Sequence, residues 1–89
     1  MTEITTPIPV TVRFFAAARD AAGKDTDVLR VPIGSTIDHA ICELSGQSDK
    51  MALVLQKCSF LCDGVAVRDP GTVLHAHQTL DVLPPFAGG

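Results

Sequence analysis

The chain contains no tryptophan and no tyrosine, and its only aromatic residues are Phe14, Phe15, Phe60 and Phe86. A surface that stacks on nucleic-acid bases carries more aromatics than this. Basic residues are scattered, and the net charge is -3. Both features argue against nucleic acid or an anionic membrane as the partner. No apolar run approaches the roughly 18 residues needed to span a bilayer. The first residues, Met1 to Pro7, lack the basic region and apolar stretch of a secretory leader. The expected location is therefore the cytoplasm.

Cysteine is also scarce: Cys42, Cys58 and Cys62. An odd number in a chain with no leader points to reduced thiols. On one strand Cys58 and Cys62 would lie about 13 Å apart at ~3.3 Å per residue, too far for a disulfide. Free cysteine packs well in cores, so all three are expected to be buried thiols. Their spacing is not that of a zinc site. His75 and His77 do not make a complete metal shell either, so no metal is expected. His39 is expected on the exposed side of a helix. No Ser-His-Asp order and no carboxylate pair marks a catalytic centre.

What is present is a small apolar domain. Hydrophobic residues make up 46% of the 89, enough for one core and too many for a disordered chain. Residues 1–8 are polar and proline-punctuated, and are expected to be a flexible tail. Val10, Val12 and Phe14 alternate with Thr11 and Arg13, the period of a strand. Ala16 to Gly23 reads as one or two helical turns closed by the glycine. Thr26 to Val31 is a second strand, paired with the first. Ser35 is a candidate cap for a helix whose apolar face is Ile37, Ala40, Ile41 and Leu44. Gly46 is its stop. Asp49 is a candidate cap for a second helix carrying Met51, Val54, Leu55 and Cys58.

Ser59 to Cys62 reads as a third strand. Asp63-Gly64 marks a tight hairpin turn, and Val65 to Val67 is the return. Thr79 to Leu83 is the last strand, with Leu80 and Val82 on one face. Pro84-Pro85 cannot donate ladder hydrogen bonds and ends the sheet. The expected fold is α+β, with one main helix on one face of a mixed sheet of four to five strands. The first and last strands could lie side by side in its middle, as in a β-grasp. The domain is expected to span residues 9–85, with 86–89 as a flexible C-terminal tail.

That tail carries the functional reading. Pro84-Pro85 is stiff and extended. Gly88 and Gly89 lack a Cβ and can enter a channel that excludes other residues. The Gly89 carboxylate is a poor electrophile until a nucleotide phosphate is attached to it. Sulfur can then displace AMP and leave a thiocarboxylate, which delivers sulfur elsewhere. Such covalent activation splits one difficult transfer into easier steps. None of it requires a base, a metal or a pocket on the carrier.

Three segments resemble the MoaD/ThiS family of ubiquitin-like sulfur carriers, and within it the small subunits of molybdopterin synthase. They are Val12-Arg13-Phe14-Phe15-Ala16-Ala17-Ala18-Arg19-Asp20, Gly34-Ser35-Thr36-Ile37 and Leu83-Pro84-Pro85-Phe86-Ala87-Gly88-Gly89. The resemblance implies a β-grasp and a chain that is not catalytic alone. It also implies a cycle in which an E1-like enzyme adenylates Gly89, supported by Gly88, and a sulfur donor converts it to the thiocarboxylate. The large catalytic subunit of molybdopterin synthase would then receive the tail and pass sulfur to precursor Z. No cofactor would be held permanently, and the activating partner would consume ATP. By position, Phe15, Arg19, Leu83, Pro85 and Phe86 would contact partners, with Leu83 standing where an aromatic is common. Sulfur carriers for thiazole or cysteine synthesis, and a ubiquitin-like modifier or interaction module, are the alternatives.

Overall fold

The fold is that of a computed structural model, which describes residues 6–85. Strand β1 (Pro7–Phe14) runs antiparallel to β2 (Thr26–Pro32), with Val10 opposite Leu29. The two-turn helix α1 (Ala16–Ala22) joins them and closes at Gly23, whose φ of 77° suits a residue without a Cβ. Helices α2 (Ile37–Ser45) and α3 (Asp49–Leu55) follow. Then come β3 (Ser59–Cys62), β4 (Val65–Ala66) and β5 (Thr79–Leu83). The sheet order is β2-β1-β5-β3-β4. Strand β5 lies parallel to β1, with Val12 opposite Leu80, and antiparallel to β3. First and last strands side by side at the centre of a mixed sheet, with helices on one face, make the expected β-grasp.

The core lies between that face and the helices. Alternation sends Val10, Val12 and Phe14 of β1 inward, with Leu80 and Val82 of β5. Ile37, Ala40 and Leu44 of α2 meet them at helical spacing, and Met51 and Leu55 of α3 close the end. Ile41 packs against the core while half-buried. Among the described residues no helix is long and apolar enough to cross a membrane.

Several boundaries differ from expectation. Strand β1 begins at Pro7, inside the segment 1–8 expected to be a tail, and Ile8 is buried. Odd residues of β1 donate towards the β5 side, as Thr11 N does to Gln78 O at 2.9 Å. Strand β5 starts only at Thr79, so Pro7 and Pro9 sit where no N–H is required. Thr36, not Ser35, caps α2: its Oγ1 accepts from His39 N at 3.2 Å. The Ser35 hydroxyl instead donates to Pro32 O at 2.6 Å.

Ser48, not Asp49, caps α3 by accepting from Met51 N at 3.0 Å, and Asp49 supplies first-turn negative charge. Helix α3 ends before Cys58. Helix α2 does stop at Gly46, but with φ −71°, without the left-handed exit. The Asp63-Gly64 turn is as expected, with φ 49° and 81°. Asp63 Oδ1 also accepts from Thr79 N at 2.9 Å, fastening the hairpin to the start of β5.

Candidate functional site

The parallel pairing of β1 and β5 places the ends of both strands together. Phe14 stands opposite Val82, and Phe15 N donates to Val82 O at 3.3 Å. Phe15 is thus brought beside Leu83, on the sheet face without helices. Phe15 also begins α1: its carbonyl accepts from Ala18 N at 3.0 Å and Arg19 N at 3.4 Å. The chain enters that helix through Ala16 at φ 51°, a conformation that costs a non-glycine residue of order 1 kcal/mol or more. The tight entry folds Arg19 back towards Phe15.

A recess of about 220 Å³ lies at this corner, lined by Arg13, Phe15, Ala16, Arg19 and Asp25 among others. Phe15 is 39% exposed, a large share for an aromatic. Arg19 reaches Asp25 at 3.7 Å, and both side chains are mostly in water. That contact holds little energy, so Arg19 is available to a partner. Leu83 and Pro84 are half-buried and Pro85 is exposed. The expected contact residues Phe15, Arg19, Leu83 and Pro85 therefore occupy one end of the sheet. Phe86, Gly88 and Gly89 lie outside the described residues.

The sequence reading missed one pair in this region. Arg13 donates from Nε and Nη2 to the two carboxylate oxygens of Asp81, at 2.6 and 2.7 Å. Its guanidinium also lies over the Phe15 ring, 5.6 Å from the centroid. The hydrogen bond to Asp81, and then its charge, hold the Arg13 guanidinium above its ordinary range. The signal was a lone acid between two core residues, Leu80 and Val82, matched by a lone base between Val12 and Phe14.

The cysteines are free but not all buried. Cys42 is exposed, contrary to expectation, because it falls off the Ile37, Ala40, Leu44 stripe of α2. Cys58 and Cys62 are partly buried. Burial pushes both thiols up, and the Asp63 charge adds to this at Cys62. A catalytic thiol needs the opposite shift. His75 and His77 lie in the loop before β5. Their backbone N–H groups donate to Gln78 Oε1 at 2.8 Å and Pro9 O at 2.7 Å. Among the described residues no group of three or more His, Cys, Asp or Glu could hold a metal. His39 is half-buried, 3.5 Å from Glu43.

The sequence profile of the ThiS family matches residues 12–89. No curated protein sequence matches the chain at a significant level. Solved structures that share the fold include these three. A putative molybdopterin converting factor subunit 1 of Pyrococcus furiosus superposes with a TM-score of 0.81 at 22% identity, covering 89% of this chain and 99% of its own. SAMP1 of Haloferax volcanii, a small archaeal modifier protein, gives 0.80 at 24%, covering 91% and 99%. In the complex of subunits 1 and 2 of the molybdopterin-converting factor of Helicobacter pylori, the matching chain gives 0.71 at 18%, covering 92% and 100%.

Proposed function

Because this chain belongs to the ThiS family, with a ubiquitin-like fold, we propose that it carries sulfur on Gly89 and delivers it within molybdopterin synthase. An E1-like enzyme attaches AMP to the Gly89 carboxylate, using ATP. A sulfur donor displaces AMP, leaving the thiocarboxylate. The tail then enters the large catalytic subunit, where sulfur passes to precursor Z. The chain does no catalysis alone; its sheet end holds the tail to the partner, and Gly88-Gly89 fits a narrow channel.

The observation that carries this reading is the end of β5. A central strand stops at Leu83, beside Phe15, and Pro84-Pro85 follows immediately. The root of the tail is thus fixed by the core and stands beside an exposed aromatic, Phe15. The Helicobacter structure pairs subunit 1 with subunit 2, which supports a large partner subunit here. Adding one residue after Gly89 tests the mechanism. Sulfur transfer should be abolished while the circular dichroism spectrum is unchanged. Full transfer with the extension still attached would refute it.

The likeness to a Haloferax modifier protein favours a second reading, in which the tail forms isopeptide bonds with lysines. Lysine adducts without any thiocarboxylate would support that reading. Transfer to a thiazole or cysteine precursor, and not to precursor Z, would keep the carrier and change its acceptor.

A further inference from the structure

Asp81 is an unusual choice for the middle of a central strand. Its side chain is 6% exposed, its neighbours Leu80 and Val82 are core, and it lies on the sheet face that no helix covers. Across the sheet it stands between Arg13 on β1 and Leu61 on β3. Both its oxygens are taken by Arg13. Such a partly buried ion pair is weak evidence for stability, since an apolar pair of similar volume often serves a fold as well. The pair does something else that an apolar pair would not. It holds a guanidinium over the Phe15 ring, 5.6 Å from the centroid.

The Arg13 side chain that carries this guanidinium is 50% exposed. Asp81 uses the Nε N–H and one Nη2 N–H. Both Nη1 N–H bonds and the second on Nη2 are not used by Asp81, and their direction is fixed by the bidentate grip. A surface docking on Phe15 and Leu83 would desolvate that edge. It must then offer the edge an acceptor, or lose affinity. The charge of that acceptor also follows. Arg13 is already neutralised by Asp81, so a second carboxylate would leave net negative charge at a closed interface. An uncharged oxygen would not.

We propose that Arg13 is a specificity-determining residue of the docking face, clasped by Asp81 to present its outer N–H edge to an uncharged carbonyl or amide oxygen on the large subunit. The inference rests on the reading of this chain as a carrier whose sheet end docks on a partner. It adds the residue that reads the partner and the chemistry that is read.

The test compares the wild-type chain, the double variant Arg13→Met with Asp81→Leu, and Arg13→Lys. Affinity for the large subunit and for the adenylating enzyme is measured by calorimetry, at low and high salt. The double variant removes both charges and so keeps its fold, checked by its melting temperature. Its affinity for the large subunit should fall about tenfold or more, as expected for one hydrogen bond to a charged group. Arg13→Lys should fall similarly, because an ammonium cannot hold the planar fork. Wild type and the double variant should share the same salt dependence, because Asp81 already neutralises Arg13 and other charges such as Arg19 are common to both. Unchanged affinity of the double variant for a large subunit that the wild type does bind would overturn the proposal alone. So would a salt dependence that is steep in wild type and Arg13→Lys but lost in the double variant, which marks a carboxylate facing residue 13. Wild-type binding to the adenylating enzyme but not to the large subunit would overturn the molybdopterin reading and this proposal with it, and binding to neither would overturn the carrier reading as well.

Discussion

Replacing Phe15 with alanine separates two jobs of one side chain. A phenylalanine presents on the order of 200 Å², and 39% of Phe15 is exposed, leaving about 80 Å² for a partner to cover. At about 25 cal/mol per Å² that area contributes roughly 2 kcal/mol to docking, or about 30-fold in Kd. The remaining, larger part of the ring is already covered within the chain. Its loss lowers folding stability by up to about 3 kcal/mol, an upper figure because the unfolded chain also buries some of it. The stacking of Arg13 on the ring adds a few tenths to 1 kcal/mol at such an exposed site. The variant should thus be folded but less stable, and its affinity for the large subunit should drop by tens of fold. Calorimetry reads the affinity. Urea unfolding followed by circular dichroism reads the stability, since the chain has no tryptophan or tyrosine to report by fluorescence. Phe15→Leu should recover most of both. A folded Phe15→Ala chain that binds the large subunit within threefold of wild type would remove Phe15 from the docking face.

Two further predictions concern the fold around this site. Thr36→Ala should lose about 1 kcal/mol in denaturant unfolding, whereas Ser35→Ala should lose less, because only Thr36 accepts a helical N–H; equal losses would contradict the cap assignment. Iodoacetamide should label exposed Cys42 before Cys58 and Cys62, whose thiols are pushed up by burial. The upward shift means that the unfolded chain ionises these two thiols first. Their stabilising contribution is complete below the ordinary value of 9.0 and is lost as pH rises through the higher folded value. Stability that rises over that range would reverse the sign.

Much of this architecture is legible in the sequence because each element buries one face. The alternation of Val10, Val12 and Phe14 and the spacing of Ile37, Ala40 and Leu44 carry the core. The Asp63-Gly64 turn is local chemistry and needs no tertiary knowledge. Adjacent candidates for one role were harder. Ser35 and Thr36 both bear hydroxyls, and the path of the chain after Pro32 decides which of them faces the helix. Ser48 and Asp49 posed the same choice. Pro7 reads as part of a tail, since the tolerance of proline at positions 7 and 9 of β1 depends on how far β5 extends.

The docking corner was half legible. Phe15, Arg19, Leu83 and Pro85 came from family resemblance, and the parallel pairing of β1 with β5 gathers them at one end. The Arg13–Asp81 clasp joins positions 68 apart in sequence, and no local pattern couples them until the register of the parallel pair is known.

The most direct measurement is the intact mass of the full chain after incubation with ATP, sulfide and an E1-like enzyme shown to load another carrier. The expected result is a gain equal to replacing one oxygen by sulfur, located by fragmentation at Gly89 and absent without ATP. A mass that stays at the carboxylate form under those conditions would contradict the assignment of Gly89 as the sulfur-bearing group.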